Sequence, residues 1–96
     1  MKRILLFLMI LPFVVFSQCQ DDCTKEKVKN SQGTYIGCLD DAGNFNGFGK
    51  AVYSNGNKYE GCWQYNEMHG NGKLTFATGQ VFEGEFTENN FLRILL

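Results

Sequence analysis

Residues 59–65 read Tyr-Glu-Gly-Cys-Trp-Gln-Tyr, and at a period of two they separate into two faces. Tyr59, Gly61, Trp63 and Tyr65 fall on one side, Glu60, Cys62 and Gln64 on the other. Residues 70–76 repeat the pattern, with Gly70, Gly72, Leu74 and Phe76 opposite Asn71, Lys73 and Thr75. This alternation predicts two half-buried strands, with residues 66–69 as the loop between them. Asn55-Gly56 inside residues 54–57 is the strongest short hairpin signal, and residues 77–80 hold the equivalent place one hairpin later. Glycine inside a strand weakens it. Its recurrence beside aromatic residues therefore needs a cause.

Self-alignment supplies one. Residues 35–58 align with 59–81, and 82–92 begin a third copy. Gly47, Gly49 and Gly56 recur as Gly70, Gly72 and Gly79; Tyr35 and Gly37 recur as Tyr59 and Gly61, and Gly61 recurs as Gly84. Each copy reads as a β-hairpin. Two and a half hairpins predict an all-β chain, a single antiparallel meander sheet of about five strands. A ring lying over a neighbouring strand's bare backbone compensates for the missing side chain, so the glycines make room for the aromatics.

The stretch "YEGCWQYNEMHGNGKLTFATGQVFEG" resembles the MORN (membrane occupation and recognition nexus) repeat, with a Tyr-x-Gly-x-Trp opening and a His-Gly-x-Gly centre. The likeness extends over about residues 33–92. It is close in copy two and looser in copy one, where Leu39 stands at the tryptophan position and Asn46 at the histidine position. Copy three departs after Phe91, with Leu92 and Arg93 in place of His and Gly. The resemblance implies a short array of β-hairpins serving as an interaction or scaffolding module without enzymatic activity.

Flanking segments differ in character. Lys2 and Arg3 precede an apolar run from Ile4 to Phe16, and Ser17 follows, the layout of a secretory signal peptide with cleavage expected after Ser17. The run is shorter than the roughly 20 residues a membrane span needs. Residues 18–32 form a polar, cysteine-containing leader whose one strongly apolar residue besides cysteine is Val28. Residues 93–96 end an apolar strip, "FLRILL", that reads as a cap over the last rings or as a contact for another chain.

Charge narrows the partners. The chain carries −1 overall, and residues 33–92 hold three lysines against seven acids. Such a surface repels nucleic acid and anionic headgroups.

In an exported chain Cys19, Cys23, Cys38 and Cys62 are disulfide candidates rather than metal ligands. Cys38 and Cys62 occupy the same repeat position with one strand between them, roughly 9–10 Å apart. That exceeds the span of about 7 Å that a disulfide bridges. The expected arrangement has the leader folded over the face holding Cys38 and Cys62, pairing Cys19 and Cys23 with them; a local Cys19–Cys23 loop is the alternative.

No catalytic constellation emerges. His69 sits inside the repeat motif, at the expected turn. Glu83 and Glu85 share a strand face about 7 Å apart, a spacing compatible with glycoside hydrolysis, although two glutamates on a polar sheet face are ordinarily just solvated. "DDAGNFNG" (40–47) lacks the alternating oxygen ligands of a calcium loop. No metal or cofactor is expected. The expectation is a secreted or periplasmic interaction module that binds another protein, or a second copy of itself, through aromatic face or edges. The face comprises Tyr35, Tyr53, Tyr59, Trp63, Tyr65, Phe76, Phe82 and Phe86. A lipid surface or glycan is the alternative ligand for the same rings.

Overall fold

The computed structural model describes residues 19–94. The expected signal peptide and its cleavage after Ser17 lie outside these residues, as do the last two positions of "FLRILL". Seven strands follow one another: β1 (Glu26–Asn30), β2 (Gly33–Leu39), β3 (Phe45–Tyr53), β4 (Lys58–Gln64), β5 (Glu67–Thr75), β6 (Val81–Thr87) and β7 (Asn90–Arg93). They form one antiparallel meander in sequence order, with β1 and β7 as the outer strands among the described residues.

The count exceeds the expected five at both ends. β1 arises inside the polar leader, where Val28 pairs with Tyr35 and is half-buried against the core while Glu26, Lys27 and Lys29 stay exposed. One apolar residue is enough for an outer strand, and its lysines discourage further pairing. β7 completes the third hairpin despite the lost motif, because Phe91 pairs with Phe86 and turns in against Phe82.

Hairpin turns also shift. The loop expected at 66–69 is a two-residue turn at Tyr65 and Asn66, with φ of 49° and 69°. Glu88 and Asn89 (φ 50° and 70°) do the same one hairpin later. Two left-handed central residues give the turn whose twist matches a β-hairpin. Met68 and His69 therefore belong to β5, and Tyr65 leaves the aromatic face for the turn, 69% exposed.

The pairing register shifts by two residues once in each of the first two repeats, which leaves the alternation of faces intact. Gly37 pairs with Gly49 but Leu39 with Phe45, and Gly61 pairs with Gly72 but Trp63 with Met68. The returning strand thus carries a bulge, centred on Gly47 (φ 100°) and Gly70 (φ 93°). A side chain is strained at such a φ, which fixes the first glycine of each Gly-x-Gly. The second has a different cause, in the ring above it.

Turn asparagines join neighbouring hairpins. Asn66 Oδ1 accepts from Phe45 N at 2.7 Å and Asn66 N donates to Phe45 O at 3.1 Å. Asn89 does the same to Met68, at 2.9 and 3.0 Å. At the opposite end of the strands, Asn57 Oδ1 accepts from Ala77 N at 2.9 Å.

Candidate interaction surfaces

On one face of the sheet, Tyr35 and Tyr59 lie flat over glycine. A Cβ at Gly49 would land on the Tyr35 ring, and one at Gly72 on the Tyr59 ring. Each phenol then reaches a carbonyl of its own strand at the bulge: Tyr35 Oη donates to Cys38 O at 2.7 Å and Tyr59 Oη to Cys62 O at 2.9 Å. Burial without such partners would cost about 1–3 kcal/mol per hydroxyl. Burial pushes the Tyr35 phenol up to about 12, and it raises Tyr59 and Tyr53 as well.

Rings continue sideways along the sheet. Phe45 stacks on Tyr35 at 3.8 Å between centroids. Trp63 stands edge-on to Tyr35, Phe45 and Tyr59 at 5.1–5.4 Å and donates its Nε1 hydrogen to Gly49 O at 3.1 Å. Tyr59 meets Phe86 at 5.1 Å. Such edge-on contacts each add about 0.5–1.5 kcal/mol beyond area burial.

This packing divides the eight rings expected to form a contact face. Tyr35, Tyr59, Trp63 and Phe86 are at most 5% exposed, so they are the core of the sheet and not a surface. A single sheet has nothing behind it, yet the rings seal themselves by packing on one another and on glycine. Tyr53, Phe76 and Phe82 are half-buried at the rim, with Phe76 and Phe82 5.7 Å apart, and Tyr65 is exposed at its turn. Phe45, Met68 and Phe91, spaced by 23 residues, also belong to this cluster. They were not among the expected positions, although the repeat spacing already linked them.

The opposite face carries the cysteines. Cys19 is bonded to Cys62 and Cys23 to Cys38, with Cα atoms 5.7 and 5.8 Å apart. The local Cys19–Cys23 loop does not form. Residues 19–23 thus cross β4, β3 and β2 as a strap, and Gln20 O accepts from Phe48 N at 2.7 Å, the amide that the β3 bulge turns away from the ladder. Beside the strap, over β4, β5 and β6, lies an open groove of about 980 Å³ that includes Glu60, Asn71, Lys73, Val81 and Glu83 in its lining. Two disulfides point to an oxidising compartment outside the cytoplasm.

The remaining chemical candidates take structural places. Asp40 accepts from Ala42 N, Asn44 N and Asn44 Nδ2 at 2.8–3.0 Å, and the Asn44 side chain first among these holds its carboxyl below the usual range. Its lone pairs are engaged within its own loop. Glu85 pairs with Arg93 at 2.7 Å, away from any joint role with Glu83. His69 lies in β5, with Nδ1 3.5 Å from Thr87 Oγ1. Among the described residues no three His, Cys, Asp or Glu side chains converge as a metal site would require.

The glycine under each tyrosine and the glycine at each bulge recur with the repeat, and the MORN repeat family model matches residues 42–58 and 59–81. Residues 42–81 are MORN repeats. Within this MORN array, the matched residues supply β3, β4, β5, the first Asn-Gly turn and the Tyr59–Trp63 core. The strap and β1 lie outside the match.

Proposed function

We propose that this MORN array is a non-catalytic protein-interaction or scaffolding module, exported to an oxidising compartment, that engages another protein through the open rim of its aromatic face. The observation that carries the reading is the rim itself. Tyr53, Phe76 and Phe82 keep part of each ring open to solvent beside a core that is otherwise sealed. Half-open rings on a rigid sheet offer large apolar area at little cost in side-chain order, which is what an interaction surface needs. Rigidity comes from the two disulfides, which also suit the compartment.

The test is photo-crosslinking from the exported protein in its producing cells. A benzoyl-phenylalanine placed at Phe76 or Phe82 should capture the same second protein, while one at Val52, on the opposite face, should not. Equal capture from all three positions, or capture of no other protein from Phe76 and Phe82, would refute the assignment.

A further inference from the structure

The strap face carries a row of charges whose order has a consequence for self-association. Lys50, Glu60, Lys73 and Glu83 are successive Cα partners across β3, β4, β5 and β6, so their signs alternate along one line perpendicular to the strands. All four are exposed. The described residues hold two ion pairs, Lys25–Asp21 and Arg93–Glu85, and none of the four takes part in either. The next row, Val52, Lys58, Thr75 and Val81, ends in two valines that are 42% and 47% exposed.

A twofold axis along the strand direction between β4 and β5 reverses strand order and keeps each row level. It sets Lys50 against Glu83 of a second copy, Glu60 against Lys73, and Val52 against Val81. Every rung of the row then meets its opposite charge, and the valines meet each other. Relief is complementary too. The strap is a ridge over β2–β4, the groove a hollow over β4–β6, and the same rotation carries the ridge of one copy over β5–β7 of the other, so that it enters the hollow. An isologous interface requires such a self-complementary patch.

We infer that this face binds a second copy of the chain, face to face, as a symmetric dimer. The inference does not rest on the aromatic rim of the other face, of which Phe82 alone also borders the groove. Strand spacing and rise give four or five strands a footprint of about 500 Å² per subunit, or about 1,000 Å² in total. That is the lower end of specific interfaces, so the dimer should be reversible in the micromolar range and weaken with salt.

Sedimentation equilibrium of the exported, oxidised chain tests this. The wild type should be a salt-sensitive monomer–dimer equilibrium. Lys73→Glu, which sets Glu60 against a carboxylate, should raise the dissociation constant about tenfold or more. Glu60→Lys/Lys73→Glu should restore it, because position 60 faces position 73 of the other copy. A thermal melt confirms that each variant folds. If Lys73→Glu unfolds, the outer rung carries the same test through Lys50→Glu and its compensated partner Lys50→Glu/Glu83→Lys. A monomer at every attainable concentration would overturn the inference, as would a dimer indifferent to these charges. So would a dimer lost only on Leu92→Glu, which would assign association to the β7 edge.

Discussion

Replacing Gly72 by alanine isolates the contact that defines the repeat. The φ of Gly72 is ordinary for a strand, so the new methyl brings no backbone strain; its Cβ would instead occupy the place of Tyr59 Oη and Cζ. Tyr59 is 0% exposed and its hydroxyl holds Cys62 O. Expelling the ring loses a hydrogen bond worth about 1 kcal/mol. Uncovering about 100 Å² of apolar ring costs about 2.5 kcal/mol more at 25 cal/mol per Å². Alanine returns about 0.5–1 kcal/mol by restricting the unfolded chain. The net loss is about 3 kcal/mol, a large share of the 5–15 kcal/mol typical of a domain. Gly79→Ala provides the contrast: nothing lies within 4 Å of its Cβ, but its φ is 100°, so it should cost about 1–2 kcal/mol from backbone strain alone. Urea unfolding followed by tryptophan fluorescence measures both, since Trp63 packs on Tyr59. The decisive comparison is a cycle with Tyr59→Ala, in whose background Gly72→Ala should cost less than about 1 kcal/mol. If Gly72→Ala costs as much without the ring as with it, the ring-over-glycine account is wrong.

Two further outcomes follow from the strap and the tyrosines. Loop-closure entropy assigns about 4 kcal/mol to the Cys19–Cys62 bridge, which spans 43 residues, and about 3 kcal/mol to Cys23–Cys38, which spans 15; as the loops are nested, the two values do not add. Cys19→Ala/Cys62→Ala and Cys23→Ala/Cys38→Ala should each lower urea stability by amounts of that order, and losses below about 1 kcal/mol would show that the strap restrains nothing. Tyr35 ionises in the unfolded chain near its usual value of about 10 and in the fold at about 12, through burial. The neutral phenol is therefore favoured by folding, so its contribution is intact below about pH 10 and is lost as pH rises from about 10 to about 12. Tyr35→Phe, weaker at neutral pH for want of the Cys38 bond, should lose stability less steeply across that window, and a parallel decline would exclude Tyr35 as the titrating group.

What the sequence disclosed and what it concealed divide along physical lines. Glycine positions, the hairpin order and the covering of glycine by tyrosine were legible because they recur at a fixed spacing. β1 was not: its charged residues hide a strand whose single inward residue is Val28. Nor were the bulges at Gly47 and Gly70, since two added residues leave the period of two intact; Met68 keeps the face of Gly70 and Gly72 and was hidden because residues 66–69 read as a loop. The geometric argument against Cys38–Cys62 left the leader as their partner, but which leader cysteine takes which strand depends on the direction in which the strap crosses the sheet. The contact face was half misjudged for a related reason. Tyr35, Tyr59, Trp63 and Phe86 were expected to stay open because one sheet has nothing stacked upon it, whereas they close over each other within the sheet's own surface.

The bonds from Asn66 to Phe45 and from Asn89 to Met68 make each hairpin the finishing piece of the one before it. A hairpin cut from the array would keep its own ladder and forfeit the seam that anchors the start of its returning strand. Each added repeat thus adds one such seam to the strand ladder that already joins neighbouring hairpins. A spliced-in repeat would close this end of the seam only if its turn carried an asparagine in the register of Asn66 and Asn89. Without one, its strands would still pair with the neighbouring hairpin, but the turn end of the seam would stay open.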